Sequence, residues 1–470
     1  MYMFFAKILM FATVLACWSL EGAGRDYDVR SYGAKGDGAA KDTAALQKAL
    51  DDCARTGGRV VVPPGTYLTG SLFVGDNTQL HLEKGAAILG SPDLADYNAP
   101  DAYPQNWGSK TEGWSAKHLI LVIEKKNVSI TGEGVIDGNG RAFFAEKPGP
   151  GSYGRVCWRN GGINAKGKKE EQRRPGQTIV FVESENLAVC DVTLKDMTCW
   201  SCFFHGCENV TVGGVTIRNG IRNLNTDGID IDSCRNVRVG DCDIVTGDDA
   251  VTVRGSPHRL RNKARICENV WISNIVCRVS ADGVRVGVGN GAIRNVHVSD
   301  VEIKGAGRGL HVQCCYSSKP GEGRIGVDIS DVAFRRVKIR DAFQPVCVVA
   351  GSGFSNAHLR NISFEDIDAE SYSSAIVAGN GKTRAENVSF GRCAFRIVRH
   401  GNPFAPDRET GTLLGSADGA FRIERTDGIS FENCSLRWNG DVVPSFGSAF
   451  SLFDTTGLRV DGASSFANRN

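Results

Sequence analysis

The sequence predicts an all-β chain wound as a right-handed single-stranded parallel β-helix with an N-terminal capping α-helix, and three observations carry that prediction. The first is a short pattern, Asn or Asp followed by alternating β-branched or apolar residues. It reads Asn127-Val128-Ser129-Ile130, Asn186-Leu187-Ala188-Val189, Asn209-Val210-Thr211-Val212, Asn236-Val237-Arg238-Val239 and Asn269-Val270-Trp271-Ile272. It continues at Asn295-Val296-His297-Val298, Asp331-Val332-Ala333-Phe334, Asn361-Ile362-Ser363-Phe364 and Asn387-Val388-Ser389-Phe390, with weaker versions near Gly428 and Gly457. Alternation is the period of a strand. Steps that run from 23 residues (Asn186 to Asn209) to 36 (Asn295 to Asp331) fit one turn of a solenoid. Second, no helical crossovers separate the strands. Third, glycine stands at 57 of 470 residues, above the usual roughly 7%, as many tight turns require.

The elements follow in chain order. Residues 1–23 read as an export signal: Lys7, then the apolar run Ile8 to Cys17, too short to span a bilayer, then the small residues Gly22 and Ala23. Val14-Leu15-Ala16-Cys17 also loosely resembles a bacterial lipoprotein cleavage site, with Leu15 where a small residue is usual. A secreted or periplasmic protein is expected, a lipoprotein if Cys17 is the anchor. Residues 24–470 are expected to form a single domain, since repeat folds escape the length rule that would suggest two or three. Its segment 24–98 supplies the N-terminal cap and first coils. There Leu46, Ala49, Leu50 and Cys53 fall on one helical face, with Asp42 or Thr43 as cap and Gly57-Gly58 as terminator. Such a helix would plug the open end of the solenoid.

Two long loops, 99–117 and 138–176, interrupt the coils and carry Tyr103, Trp107, Trp114, Phe143, Phe144, Tyr153 and Trp158. These aromatics suit either sugar stacking or anchoring of the loops to the body. The basic run Lys166-Gly167-Lys168-Lys169 with Arg173-Arg174 reads as a solvated loop, since Glu170 and Glu171 lie within it, or as a contact for an acidic polymer. A formal charge of +2 gives no overall pull towards nucleic acid or membrane, and no segment after the signal is apolar enough to cross a bilayer. A monomer is expected. Sixteen cysteines in an exported chain suggest disulfides, yet several stand in fixed relation to the repeat, so most are expected as small core hydrophobes. Cys199-x-x-Cys202-x-x-His205-x-Cys207 has metal-like spacing but occupies ladder positions, and no metal or cofactor is expected. Asn127-Val128-Ser129, Asn209-Val210-Thr211 and Asn361-Ile362-Ser363 match the glycosylation sequon. An inward-turned ladder Asn would carry no glycan.

The chemistry is concentrated in Asn225-Thr226-Asp227-Gly228-Ile229-Asp230 and Gly247-Asp248-Asp249. Asp227 precedes Asp248 by 21 residues and Asp249 by 22, about one coil, so the three acids would sit on neighbouring turns. Clustered carboxylates repel, which makes sense where one stays protonated while another acts as base. The competing readings are a polar ladder or a calcium site. Adjacent residues of a regular strand point to opposite faces, so Asp248 and Asp249 serve one cleft only if the backbone bends, which Gly247 permits.

These residues resemble glycoside hydrolase family 28, the polygalacturonase and rhamnogalacturonase group of the pectin-lyase-like β-helix superfamily, over almost the whole mature chain. The opening segment Tyr27-Asp28-Val29-Arg30-Ser31-Tyr32-Gly33-Ala34-Lys35-Gly36-Asp37-Gly38, Val62-Pro63-Pro64-Gly65-Thr66-Tyr67 and Gly132-Glu133-Gly134-Val135-Ile136-Asp137-Gly138 also match. The resemblance implies that Asp227, Asp248 and Asp249 are catalytic. Asp248 would protonate the glycosidic oxygen while Asp227 and Asp249 hold and activate water, with inversion and an acid–base gap of roughly 6.5–9.5 Å. It implies a polysaccharide or oligosaccharide substrate, contacted also by Asn225 and by Arg254, which stands where the family has Lys.

Departures from the family pattern bear on substrate. Where polygalacturonases carry Gly-His-Gly, this chain reads Ala281-Asp282-Gly283-Val284-Arg285, and where they carry Arg-x-Lys it reads His311-Val312-Gln313. An Arg–carboxylate fork is strong and geometry-specific, and Gln313 cannot replace it, though Arg285 or Arg308 supplies a cation nearby. Asp282, Arg285, His311 and Gln313 are thus expected at the substrate, with plain coil surface as the alternative. The expected activity is inverting hydrolysis of an α-linked pectin-like glycan containing galacturonate or rhamnose, rather than ordinary endo-cleavage of polygalacturonate. A lyase of the same fold and a non-catalytic glycan-binding β-helix are the alternatives.

Overall fold

The computed structural model describes residues 25–109, 112–147, 174–315, 326–351, 357–398, 419–438, 448–462 and 466–468. The export signal with Cys17, the run Lys166–Lys169 with Arg173, and the loop aromatics Tyr153 and Trp158 lie outside the described residues. The chain divides into two compact units, Met1–Asp230 with Cys234–Gly247, and Ile231–Ser233 with Asp248–Asn470. Each is built of parallel β-coils.

In the first unit the helix Thr43–Thr56 buries Leu46, Ala49, Leu50 and Cys53, the face that its periodicity marks, and ends at Gly57. Asp42 precedes it without capping it through its side chain. Its carboxylate instead accepts the N–H groups of Lys35 at 2.7 Å and Gly36 at 3.0 Å, tying the opening turn to the helix start. Coils here carry three short strands. Ile179–Val182, Glu185–Cys190 and Thr193–Lys195 lie in register on Cys202–His205, Glu208–Gly213 and Thr216–Arg218. In the second unit the coils merge into two longer strands, as where Asp282–Gly289 and Ala292–Lys304 stack on Arg308–Gln313 and Asp328–Ala342. Identical inward positions stack: Phe334, Phe364, Phe390 and Phe431 form a column with ring centroids 5.1, 4.8 and 4.9 Å apart, the spacing of adjacent strands.

The repeated Asn stands at each turn in the left-handed region, with φ 58° at Asn127, 56° at Asn186 and at Asn209, and 55° at Asn236. Asn tolerates that backbone better than other side-chain-bearing residues. Its amide also donates to the rung before: Asn127 to Asn77 at 2.8 Å, Asn186 to Asn127 at 2.9 Å, Asn209 to Asn186 at 3.0 Å and Asn236 to Asn209 at 3.1 Å. The second unit repeats this with Asp331, Asn361 and Asn387. The ladder does not turn inward as expected. Asn127, Asn186, Asn209, Asn361 and Asn387 are exposed, because a left-handed turn throws the side chain to the rim. A glycan there would displace an Nδ2 already donating to the neighbouring rung.

Thirteen described cysteines are free and buried, and Cys190 is disulfide-bonded. The free ones serve as core packing. Alternation along Cys202–His205 puts Cys202 and His205 on opposite faces. His205 stacks against Phe203 at 5.4 Å and faces Trp107 at 5.7 Å, so the metal-like spacing belongs to the ladder. Of the loop aromatics, Tyr103, Trp114, Phe143 and Phe144 are buried. Tyr103 and Trp114 seal Leu121, Val180, Val182, Trp200 and Phe203, with Trp107 packed against them. The described aromatics are anchors. Among the described residues no helix is long and apolar enough to cross a membrane.

Candidate active site

In the first unit Asn225, Thr226 and Asp227 form a tight segment just before the strand Ile229–Asp232. Asn225 takes the left-handed backbone at φ 55°. Its Oδ1 accepts from Arg174 Nη2 at 3.0 Å, and Arg174 also donates to the carbonyls of Thr198 (2.5 Å), Glu112 (3.0 Å) and Leu224 (3.3 Å). Arg174 is fully buried with 0% exposure. The basic-run residue that composition suggested was solvated is therefore a structural tie, and Arg174 is a functional-region residue that sequence reasoning missed. Asp227 is held by its carbonyl, which accepts from Ser201 N at 2.8 Å and Ser201 Oγ at 2.9 Å. Thr226 Oγ1 donates to Asn223 O at 2.9 Å and accepts from Gly247 N at 3.2 Å. Asp230 is buried beside Cys202; desolvation first, then the Asp230 charge, raises that thiol.

The backbone bend that the adjacent acids require is present. The strand Arg235–Thr246 ends immediately before Gly247, the chain bends at Gly247 and Asp248, and the next strand starts at Val251. Gly247 is obligatory on space alone, since a Cβ there would lie 2.1 Å from Asn223 O.

The second unit holds Asp248, half-buried, and Asp249, buried at 2%. Asp249 Oδ1 accepts from Asp282 N at 2.9 Å and Oδ2 from Arg285 Nη1 at 3.3 Å. Register explains the rest. Asp282 pairs with Arg308, Arg285 with His311, and Gly287 with Gln313 on the neighbouring strand. Outward side chains of adjacent rungs therefore meet. Arg308 Nε donates to Asp282 Oδ1 at 2.5 Å, and His311 Nδ1 lies 2.7 Å from Asp282 Oδ2. Arg285 Nε stands 3.8 Å from Asp282 Oδ2, and its Nη2 donates to Gln313 Oε1 at 2.8 Å. Arg254 Nε lies 3.8 Å from Asp232 Oδ2, while Asp232 Oδ1 accepts from Ser256 N at 2.6 Å.

This linkage disposes of the plain-surface reading for Asp282, Arg285 and His311: Arg285 is 9% exposed, His311 1% and Asp282 0%. Asp282 was expected at the substrate. Its carboxylate is buried, with Oδ1 accepting from Arg308 and Oδ2 facing His311 Nδ1. The electrostatics split the two buried acids. Burial, then the Asp282 charge, pushes Asp249 up to about 7, against the pull of Arg285. Burial would raise Asp282 also, but Arg308, His311 and Arg285 outweigh it and hold Asp282 well below the usual carboxylate range. Burial and the Arg308 charge push His311 down to about 4, so its imidazole is neutral. The Asp232 partner of Arg254 was not foreseen, although Asp230-Ile231-Asp232 is a strand alternation that places Asp232 on the Asp230 face.

The chain is similar to known proteins of one glycosidase family. A family model for glycosyl hydrolases family 28 matches residues 105–395, and one for rhamnogalacturonase A/epimerase, pectate lyase-like, matches residues 27–143. An exo-poly-alpha-D-galacturonosidase of Dickeya chrysanthemi is 30% identical over 294 residues, 56% of this chain and 48% of that protein. A probable polygalacturonase of Vitis vinifera is 26% identical over 66% of this chain and 60% of that protein. The chain thus spans about half to three-fifths of these two relatives. The fold matches the Yersinia enterocolitica family 28 exopolygalacturonase at a TM-score of 0.68 and 18% identity, covering 96% of this chain and 79% of that one. It matches the Thermotoga maritima exopolygalacturonase at 0.66 and 18%, covering 88% and 91%. With a family match across more than half its length, the chain belongs to glycosyl hydrolases family 28.

Proposed function

We propose that the protein is an exported glycosidase that hydrolyses an α-linked, pectin-like glycan containing galacturonate or rhamnose, with inversion. Asp248 acts as general acid, and Asp227 and Asp249 hold and activate the attacking water. The observation that carries this reading is the treatment of two neighbouring carboxyls. Asp249 is buried at a break in the strand and retains its proton to about pH 7, while Asp282 behind it is held ionised by two guanidiniums. Environments that drive neighbouring carboxyls apart are how acid–base sites are made. The half-buried Asp248 at the bend is the more accessible of its pair and suits delivery of a proton to a leaving oxygen. The polygalacturonase names of the relatives support a uronate-bearing pectic polymer as substrate class, and Asn225 and Arg254 serve as substrate contacts.

Digestion of pectic oligosaccharides followed by NMR of the first-formed anomer tests the reading. An inverted reducing end is expected. A retained anomer, or an unsaturated product absorbing in the ultraviolet, refutes it, the latter in favour of elimination.

A further inference from the structure

We infer that His311 and Gln313 form the specificity-determining pair of this site, and that they read a hydroxyl of an uncharged sugar residue while disfavouring a carboxylate. The inference deepens the hydrolase reading above and rests on it.

The two residues are two apart on the strand Arg308–Gln313 and so share its outward face. Each has one side fixed by the network behind it. His311 Nδ1 meets the Asp282 carboxylate at 2.7 Å. An ionised carboxylate only accepts, so Nδ1 carries the proton and Nε2 is left with its lone pair. Gln313 Oε1 accepts from Arg285 at 2.8 Å, which orients the amide so that its Nε2 is the donor presented. Neither Nε2 has a hydrogen-bond partner among the described residues. Neither is cut off from solvent, in contrast to Gln344 Oε1 or Thr252 Oγ1 in the same unit. The pair therefore offers one acceptor and one donor, both neutral. A hydroxyl satisfies both at once, since it donates and accepts. A carboxylate can take the Gln313 N–H but faces the His311 lone pair with no proton between them.

The charge balance points the same way. Among the described residues of this face Arg285 is engaged by Asp249 and Gln313, and Arg308 by Asp282. The next rung brings no cation, since Cys347 pairs with His311 and Val349 with Gln313, and both are buried. A uronate would be desolvated here against guanidiniums already hydrogen-bonded to Asp249, Gln313 and Asp282, at a cost of a few kcal/mol.

The test uses the full-length Asp248→Asn protein, to prevent turnover, and isothermal titration with oligosaccharides from homogalacturonan and rhamnogalacturonan. Each is offered in native form and with its carboxylates reduced to hydroxymethyl groups. Tighter binding of the reduced member, on the order of tenfold or more, is expected for every pair that binds. Equal or tighter binding of the native member overturns the inference. Gln313→Glu keeps the acceptor for Arg285 and exchanges the donor for a second acceptor, so it should lower affinity for the reduced ligand about tenfold; unchanged affinity also overturns it. Wild-type hydrolysis that favours the native uronate would sink this inference and leave the hydrolase standing. Absence of binding and turnover across the panel would sink both.

Discussion

The Asn ladder and the charged rungs of the second unit are built on the same parallel register and could hardly differ more in content. In the first unit's ladder Asn returns from Asn77 to Asn236, in the same left-handed backbone, each donating to its predecessor at 2.8 to 3.1 Å. Down a column of the charged face no residue repeats. Thr252, Arg285, His311 and Cys347 occupy one column on successive strands, and the linked acids, guanidiniums, imidazole and amide of this face and its neighbours make each other tolerable in the interior. The ladder is exposed and each rung is worth little; the charged face is buried, and each member is costly to orphan. Periodicity stabilises, whereas departure from it marks the rungs to which the proposed chemistry is assigned.

The sharpest break in the comparison is at Asp248. Asp248→Asn should lower kcat by about 10³-fold or more, the upper part of the range for a general acid, with melting temperature and circular dichroism unchanged because the side chain is half-buried. Turnover near wild type would remove Asp248 from its role.

Asp282→Asn comes next and should act on the fold. It leaves Arg308 facing a neutral amide in a buried position, at about 3–5 kcal/mol, read as a lower denaturation midpoint. Activity should fall with it, since the His311 tautomer loses its anchor. A variant as stable as the wild type would mean that Arg308 finds another partner and that the network is not interdependent.

Asp249 sets the pH dependence. Its carboxyl retains a proton to about 7 because it is buried and faces Asp282, with Arg285, Arg308 and Asp248 as the other charged neighbours. In its proposed role as base it must ionise, so kcat/KM should climb about tenfold per pH unit below 7 and level off above. A profile falling through 7 would instead make Asp249 the acid. Stability has the opposite sign. The folded protein keeps the proton that the unfolded chain has lost above about 3.8, so this contribution is full below 3.8 and disappears by about 7. The stability advantage of wild type over Asp249→Asn should shrink across that window in urea titrations.

What the sequence made legible follows the same division. The coils, the helix over Thr43–Thr56 and the acid motifs were readable because each is a local pattern: alternation, a 3.6-residue face, a short string. The ladder Asn was readable in position but not in direction, because φ is not written in residue spacing. Asp282, Arg285, His311 and Gln313 were identified as departures from a family pattern, yet their mutual hydrogen bonds depend on register between strands about thirty residues apart. Arg174 was least legible. A basic run with two glutamates has the composition of solvated loop, and nothing local announces that its last arginine is buried against Thr198, Leu224 and Asn225.

The smallest effect belongs to the ladder and separates its two contributions. Asn209 holds a left-handed backbone at φ 56° and links Asn186 to Asn236 through its amide. Asn209→Ala loses both hydrogen bonds and strains the turn, for about 1–2 kcal/mol. Asn209→Gly loses the same bonds but relaxes the backbone, so it should cost less than the alanine variant despite being the smaller side chain. If alanine and glycine destabilise equally in chemical denaturation, the amide chain alone holds the ladder. If glycine is neutral, the residue recurs for its backbone, and the column of hydrogen bonds is a consequence of stacking and not its cause.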